Sequence, residues 1–226
     1  YCNHGTEIGW GVGPFTNDRV NELVNVGKLP FIFSAACYVG NFTRTTSDCF
    51  AETWLKATHE TTGEPTGAIA TYMSTMSQPW VPSMDAQDEF NRVLSELKQD
   101  KIRKSYGAIA TSASMYMLDL YPDDDYITAT ALAWTLFGDP SLMVRTDVPS
   151  EIQLKHLSVI PEITNKIMAE SETENAYVTI TRNYEIIGAG NITNGYSLID
   201  ISQIFENDTL LITATDYNKI PYIDTI

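Results

Sequence analysis

The sequence is poor in cysteine, in basic residues and in long apolar runs. Its 226 residues include only 3 cysteines, with no Cys-x-x-Cys spacing, which excludes a zinc ribbon or a thioredoxin-type motif. There are 14 Lys and Arg residues against 29 Asp and Glu residues, and the resulting net charge of -15 disfavours nucleic acids and anionic membranes as partners. No apolar run approaches the roughly 20 residues that cross a bilayer.

One apolar stretch, Leu29–Phe42, leads into a cysteine and then into glycine and polar residues. This pattern is typical of a strand buried on both faces. It places Cys37 at the C-terminal edge of a sheet, where the functional groups of open α/β folds collect. The alternative is a small buried thiol that only fills space, because free cysteine is among the most buried residue types.

A histidine near the start of the chain gives Cys37 a candidate partner. Tyr1–Asn3 is interpreted as the end of a strand that is followed by His4 and Gly5. If both strands lie in one parallel sheet, His4 and Cys37 meet at one edge. An imidazole there can take the thiol proton and activate the sulfur for attack on an acyl group. The spacing alone favours this arrangement and two unrelated buried residues about equally.

The pattern of predicted elements changes near residue 147. Before it, apolar residues recur at helical spacing in Thr16–Val24, Phe50–Thr61, Met84–Lys98, Ser105–Leu120 and Tyr126–Phe137. Ser141–Thr146 is predicted to be a last short strand. After it, short β-rich runs separated by glycine and asparagine turns predict a small β-sandwich. The sequence therefore predicts an α/β domain over residues 1–147 and an all-β domain over residues 148–226.

Two motifs resemble the catalytic core of gingipain-type cysteine peptidases of family C25. They are His4-Gly5-Thr6-Glu7 with Trp10, and Phe31-Ile32-Phe33-Ser34-Ala35-Ala36-Cys37-Tyr38-Val39-Gly40-Asn41-Phe42. The likeness continues through Trp134–Leu142 and into the tail at Tyr217-Asn218-Lys219. It implies a caspase-like α/β catalytic domain, with a mostly parallel sheet flanked by helices and its N-terminal part missing, followed by an immunoglobulin-like β-sandwich.

The resemblance also assigns catalytic roles. Cys37 is implied to be the nucleophile and His4 its proton-transfer partner, with the backbone N–H groups of Gly5 and Cys37 forming the oxyanion hole. Glycine suits that place because a substrate carbonyl can approach a backbone without a side chain. An acidic residue that orients His4 is implied upstream of the His-Gly pair, outside this chain. Glu7 follows the histidine and is interpreted as structural.

The segment Gln78–Met84 resembles the wall of the family's primary specificity pocket. Gln78 lies in this wall, and Trp80 and Met84 are implied to flank the substrate side chain, whereas the alternative is that they are ordinary core contacts. Lysine-specific relatives are expected to carry an acid where Ser83 stands, so the pattern favours arginine over lysine. The acidic net charge also suits a basic substrate.

The resulting hypothesis is a secreted or cell-surface cysteine endopeptidase that acts through a Cys37 thioester. A catalytically inactive adhesion or assembly module is the alternative. The expected partners are a protein or peptide substrate and an N-terminal segment of the same catalytic domain, without nucleic acid or a membrane span. No cofactor is expected for catalysis.

Four further features carry weaker expectations. Cys2 is expected to be reduced and buried, with a disulfide to Cys49 as the alternative. The run Asp123-Asp124-Asp125 is interpreted as a capping turn, and structural calcium, which relatives bind, is the minority interpretation. His59 is expected on the surface, and His156 is given no chemical role.

Overall fold

The computed structural model describes residues 1–43, 46–97, 104–161 and 163–226. The chain divides into two compact units, Tyr1–Val144 and Arg145–Ile226. The boundary expected from the sequence is at residue 147.

The first unit combines helices with a small three-stranded hairpin sheet and a larger mixed sheet. Its described elements, in chain order, are β1 (Gly5–Thr6), β2 (Gly9–Trp10), β3 (Phe15–Thr16), α1 (Asn17–Asn21), β4 (Phe31–Ser34), α2 (Phe50–Lys56), β5 (Ala70–Ser74), α3 (Trp80–Leu94), α4 (Tyr106–Leu120), α5 (Asp125–Ala133) and β6 (Trp134–Phe137).

The larger sheet has the strand order β4-β5-β6. β4 and β5 are parallel, and β6 is antiparallel to β5. On the free side of β4, a parallel bridge pairs Cys2 with Ala35 and extends the sheet. Successive side chains of β4 point to opposite faces, so Phe33 lies in one apolar core and Ile32 in another. The sheet is therefore covered on both faces, which is why β4 is so apolar.

The end of the first unit differs from the sequence-based expectation. The helix predicted over Tyr126–Phe137 ends at Ala133, and the next four residues form β6. No glycine or proline separates α5 from β6, so the apolar spacing of the sequence does not mark the change from helix to strand. Trp134, Thr135 and Phe137 are residue types that favour strands, and here they pair with the edge of β5. The strand predicted over Ser141–Thr146 is wrong, because Met143 makes only an isolated bridge there.

The helix predicted over Met84–Lys98 begins earlier, at Trp80, and ends at Leu94. Its predicted end at Lys98 lies outside the described residues. The early start matters for the site, because it places the segment from Trp80 to Met84 in the first turn and a half of α3 rather than in a loop.

The second unit is a β-sandwich. Its described strands are β7 (Ser150–Glu151), β8 (Lys166–Glu170), β9 (Tyr177–Arg182), β10 (Glu185–Asn191), β11 (Tyr196–Asp200), β12 (Leu211–Thr215), β13 (Lys219–Ile220) and β14 (Tyr222–Thr225). One antiparallel sheet has the order β10-β9-β12-β14, and a second pairs β11 with β8. Ile180 and Ile212 of the first sheet and Ile167 and Ile199 of the second share one core.

Two methionines on α4 test the placement of the first core. Met117 is fully buried, whereas Met115, two residues earlier, is 53% exposed. We expect Met117→Ala to lower the free energy of unfolding by about 2–5 kcal/mol because it leaves a cavity. The matched change Met115→Ala should alter it by less than about 0.5 kcal/mol.

Urea unfolding followed by tryptophan fluorescence measures this difference, since all 4 tryptophans lie in the first unit. Equal losses from the two substitutions would contradict the packing described for α4.

Candidate active site

Two strand ends bring His4 and Cys37 to one edge of the sheet. The N–H of Asn3 donates to the carbonyl of Ala35 at 3.3 Å, and the N–H of Ala35 donates to the carbonyl of Tyr1 at 2.9 Å. These bonds pair Tyr1–Asn3 in parallel with the end of β4. His4 follows one strand and Cys37 the other, so both side chains leave the sheet in the same place and line one cavity of about 140 Å³.

The sulfur of Cys37 is held by the segment that follows β5. The backbone N–H of Gln78 donates to Cys37 Sγ at 3.3 Å. The next residue, Tyr38, has a φ of +60°, a sparsely populated conformation for a non-glycine residue, and its N–H donates to the carbonyl of Met76 at 3.1 Å. Among the described residues, the backbone N–H of Cys37 has no acceptor. The turn thus leaves one N–H beside the sulfur free.

His4 is fixed through its backbone and by an aromatic neighbour. Its carbonyl accepts hydrogen bonds from the N–H of Gly11 at 2.8 Å and from the Tyr1 hydroxyl at 3.0 Å. The imidazole lies edge-on to Trp80, with 5.1 Å between ring centroids. Within the described parts of the chain, neither ring nitrogen has a hydrogen-bond partner. The nitrogens are therefore available for proton transfer, and the part of the chain described here supplies no carboxylate to orient the ring.

Gly5 lies against the backbone of Cys37. A Cβ at Gly5 would lie 2.8 Å from the carbonyl oxygen of Cys37 and 2.7 Å from Cγ1 of Val39. Both distances are shorter than real side-chain contacts, so only glycine lets β1 approach the cysteine turn this closely.

The predicted pocket residues contribute unequally to the cavity. Gln78 and Trp80 line it, and Trp80 is 52% exposed. Met84 lies on α3, is 38% exposed, and is not part of the cavity wall formed by the described residues. Its role as a wall of the specificity pocket stays a prediction.

Sequence reasoning missed one residue of this site, Asn3, and did not foresee that the hydroxyl of Ser83, already assigned to the predicted pocket wall, lacks a described partner. The Asn3 side chain accepts the N–H of His4 at 2.8 Å and lines the cavity, which its position beside His4 could have suggested. Ser83 also lines it, and neither its hydroxyl nor either polar atom of the Gln78 amide has a partner among the described residues. No sequence pattern distinguishes a serine in this position from one that bonds within its own helix.

Comparison with known proteins identifies the family. The model of peptidase family C25 matches residues 1–145, and the model of that family's C-terminal immunoglobulin-like domain matches residues 156–226. The chain belongs to peptidase family C25.

Individual relatives agree with this assignment. Gingipain R1 of Porphyromonas gingivalis is 34% identical over 226 residues, which is 100% of this chain and 22% of the relative. The crystal structure of the Arg-specific cysteine proteinase gingipain R superimposes with a TM-score of 0.90 at 33% identity, covering 100% of this chain and 51% of that one. A complex of Porphyromonas gingivalis RgpB pro- and mature domains superimposes with a TM-score of 0.88 at 32% identity. The match covers 100% of this chain and 52% of that one. The C25 chain thus spans about half the length of these solved relatives, and the resemblance seen in the sequence is confirmed.

The other two cysteines of this C25 chain are free thiols in different surroundings. Cys49 is fully buried at the N-cap of α2, and burial raises the pKa of its thiol to about 11. Cys2 is only partly buried and lines the cavity beside Cys37; burial raises the pKa of its thiol too. The expected reduced state of Cys2 agrees with the structure. Its expected burial is wrong, because the described residues cover Cys2 only in part, and the alternative disulfide to Cys49 does not form.

The acidic turn caps a helix. Asp124 accepts hydrogen bonds from the N–H groups of Tyr126 and Ile127 at the start of α5. Among the described residues, no group of three or more His, Cys, Asp or Glu side chains could hold a metal ion. Structural calcium stays an expectation. Within the same described ranges, no helix has the length and apolar character to cross a membrane.

The three thiols should differ in reactivity. We expect iodoacetamide at pH 7.5 to alkylate Cys37 first, because its sulfur lies at an open cavity, and Cys2 more slowly, because its raised pKa keeps the thiol protonated. Cys49 should react only after unfolding. Peptide mass spectrometry over time measures the three rates. Early modification of Cys49 in the folded protein would contradict this placement.

Proposed function

We propose that this chain carries the nucleophile and base of a cysteine endopeptidase that is secreted or displayed at the cell surface. The observation that carries the proposal is the single cavity that contains His4 and Cys37 at two paired strand ends. Membership of peptidase family C25 supports peptide-bond hydrolysis as the reaction. A caspase-like arrangement of the catalytic domain is part of the same proposal.

The geometry suggests the following chemistry. His4 takes the proton of Cys37 Sγ, and the sulfur attacks the carbonyl carbon of the scissile peptide bond. The negative charge on the carbonyl oxygen is stabilised by the backbone N–H groups of Gly5 and Cys37. His4 then gives its proton to the leaving amine, the C–N bond breaks, and a thioester to Cys37 forms. A water molecule, deprotonated by His4, hydrolyses the thioester and restores the thiol.

Substrates with a basic residue before the scissile bond fit best, with arginine favoured over lysine. The relative with the TM-score of 0.90 is described as Arg-specific, and the net charge of -15 attracts cationic peptides. The indole of Trp80, half exposed beside the cavity, offers a flat face to the guanidinium or to the aliphatic stem. Gln78 lines the same cavity, whereas Met84, outside the wall formed by the described residues, is retained as a proposed flank of the substrate side chain.

The proposed partners are a peptide substrate and further sequence of the same catalytic domain. The solved relatives are about twice as long as this chain, and one of them is a complex of pro- and mature domains. Such a segment would supply the acid that orients His4, whose ring nitrogens have no partner among the described residues. If the full-length protein has no such acid, the unpartnered ring of His4 instead favours the second candidate, an inactive adhesion or assembly module.

Substitution of the two central residues tests the proposal. In the full-length protein, Cys37→Ala should abolish cleavage of arginyl reporter peptides, and His4→Ala should lower kcat/KM by about a hundredfold or more because general-base catalysis is lost. His59→Ala is the matched control: His59 lies outside the cavity, where its ring accepts the N–H of Thr61, and activity should stay within about twofold of the parent. Arginyl and lysyl reporters of equal length measure the preference. The endopeptidase proposal would be refuted if the intact, folded parent protein cleaved neither reporter and a peptidyl electrophile did not label Cys37. The inactive adhesion or assembly module would then be the remaining candidate.

The close approach of Gly5 gives a second test. Gly5→Ala should lower kcat/KM by about a hundredfold, because its Cβ displaces the backbone of Cys37 from the reacting geometry. Gly63→Ala, where a Cβ meets nothing within 4 Å, should leave kcat/KM unchanged despite the positive φ of that residue. Full activity of the Gly5→Ala variant would show that the two backbones need not touch.

A further inference from the structure

The peptide unit between His4 and Gly5 is held by two hydrogen bonds to its carbonyl. This carbonyl accepts the N–H of Gly11 at 2.8 Å and the Tyr1 hydroxyl at 3.0 Å. Gly5 faces Trp10 in the hairpin of β1 and β2, and the Gly11 bond makes them a non-hydrogen-bonded pair. The N–H of Gly5 therefore points away from β2, and among the described residues it has no acceptor.

The two ends of this peptide unit are coupled. The unit is trans, so its carbonyl and its N–H point in opposite directions, and a group that fixes the His4 carbonyl also aims the Gly5 N–H. A carbonyl that accepts hydrogen bonds becomes polarised, which makes the N–H of the same unit a stronger donor. The Tyr1 hydroxyl can thus act on a group bound to the Gly5 N–H without touching that group.

The Tyr1 side chain is itself held in place. Its ring stacks on Trp10, with 4.5 Å between ring centroids and an interplanar angle of 15°. The indole N–H of Trp10 donates to the hydroxyl of Ser34, a buried residue of β4, at 3.0 Å. The Tyr1 hydroxyl accepts the N–H of Val12 at 3.4 Å, so its single proton is left for the His4 carbonyl. The packing therefore presents one donor at a fixed place.

We infer that Tyr1 is a positioning residue of the proposed oxyanion hole: its hydroxyl holds and polarises the His4–Gly5 peptide unit, whose N–H stabilises the charge on the substrate's carbonyl oxygen. The inference rests on the proposed peptidase function and deepens it. Both hydrogen bonds of the hydroxyl are exposed, and water can replace part of a lost donor there. Its removal should cost severalfold in rate, against the hundredfold or more for loss of an oxyanion-hole donor itself.

The test compares a reaction that develops an oxyanion with one that does not. When Cys37 of the full-length protein adds to an arginyl peptide aldehyde, a C–S bond forms, His4 takes the thiol proton, and the carbonyl electron pair moves to oxygen. Iodoacetamide is instead attacked at its methylene carbon, and iodide leaves with the charge. Tyr1→Phe keeps the stacked ring, so it should weaken aldehyde binding and lower kcat by about fivefold each, with KM and the iodoacetamide rate unchanged.

Tyr121→Phe is the matched control. It also removes one phenolic hydroxyl of the first unit, but this hydroxyl donates to Asp85, outside the cavity and away from the His4–Gly5 peptide unit. All four measured values should stay within about twofold of the parent.

A second variant keeps the inference falsifiable if Tyr1→Phe does not fold, which early alkylation of the buried Cys49 would reveal. Replacement of Tyr1 by 3-fluorotyrosine keeps the hydroxyl and makes it a stronger donor, so it should tighten aldehyde binding at pH 6.5. Unchanged aldehyde affinity in the folded variants, or an equal fall in aldehyde affinity and iodoacetamide rate, would overturn the inference while leaving the peptidase in place. A parent protein that neither cleaves an arginyl reporter nor binds the aldehyde would instead refute the proposed function, and this inference with it.

Discussion

Two backbone hydrogen bonds between Tyr1–Asn3 and Ala35 hold the candidate site together. They align a short N-terminal segment with the end of β4, so that the residues which follow each strand emerge side by side. Without this pairing, the residues that follow the two segments would lose the contact that sets them side by side. The geometry of the candidate site therefore depends on sheet register before it depends on any side chain.

Parallel strand pairing also explains why Gln78 lies beside His4 and Cys37. Tyr1–Asn3, joined to the end of β4 by a parallel bridge, runs in the same direction as the paired strands β4 and β5. Their carboxyl ends deliver His4, Cys37 and Gln78 to one edge, as expected for open α/β sheets. α3 begins immediately afterwards and brings Ser83 into the same cavity. The residues proposed as base, nucleophile and pocket wall thus follow neighbouring segments of one sheet, while the β-sandwich forms a core of its own.

The sequence predicts an element correctly where a single physical requirement, such as burial on both faces, determines its residues. A strand buried on both faces must be apolar, so Leu29–Phe42 was recognisable, although the regular strand is only Phe31–Ser34. β6 was missed because Trp134–Phe137 continues an apolar pattern without a break, and pairing with β5 decides its conformation. The unpaired hydroxyl of Ser83 could not be predicted, because only tertiary packing determines which helical serine lacks a partner.

His4, Cys37 and the backbone at Gly5 are proposed to form one reaction centre. A crystal structure of the full-length protein after reaction with an arginyl peptidyl chloromethyl ketone would show whether they do. We expect a thioether to Cys37 Sγ and the inhibitor's carbonyl oxygen within hydrogen-bond distance of the N–H groups of Cys37 and Gly5. The arginine side chain should lie in the cavity lined by Gln78 and Ser83. An adduct on Cys2, or a carbonyl oxygen directed away from both N–H groups, would contradict it.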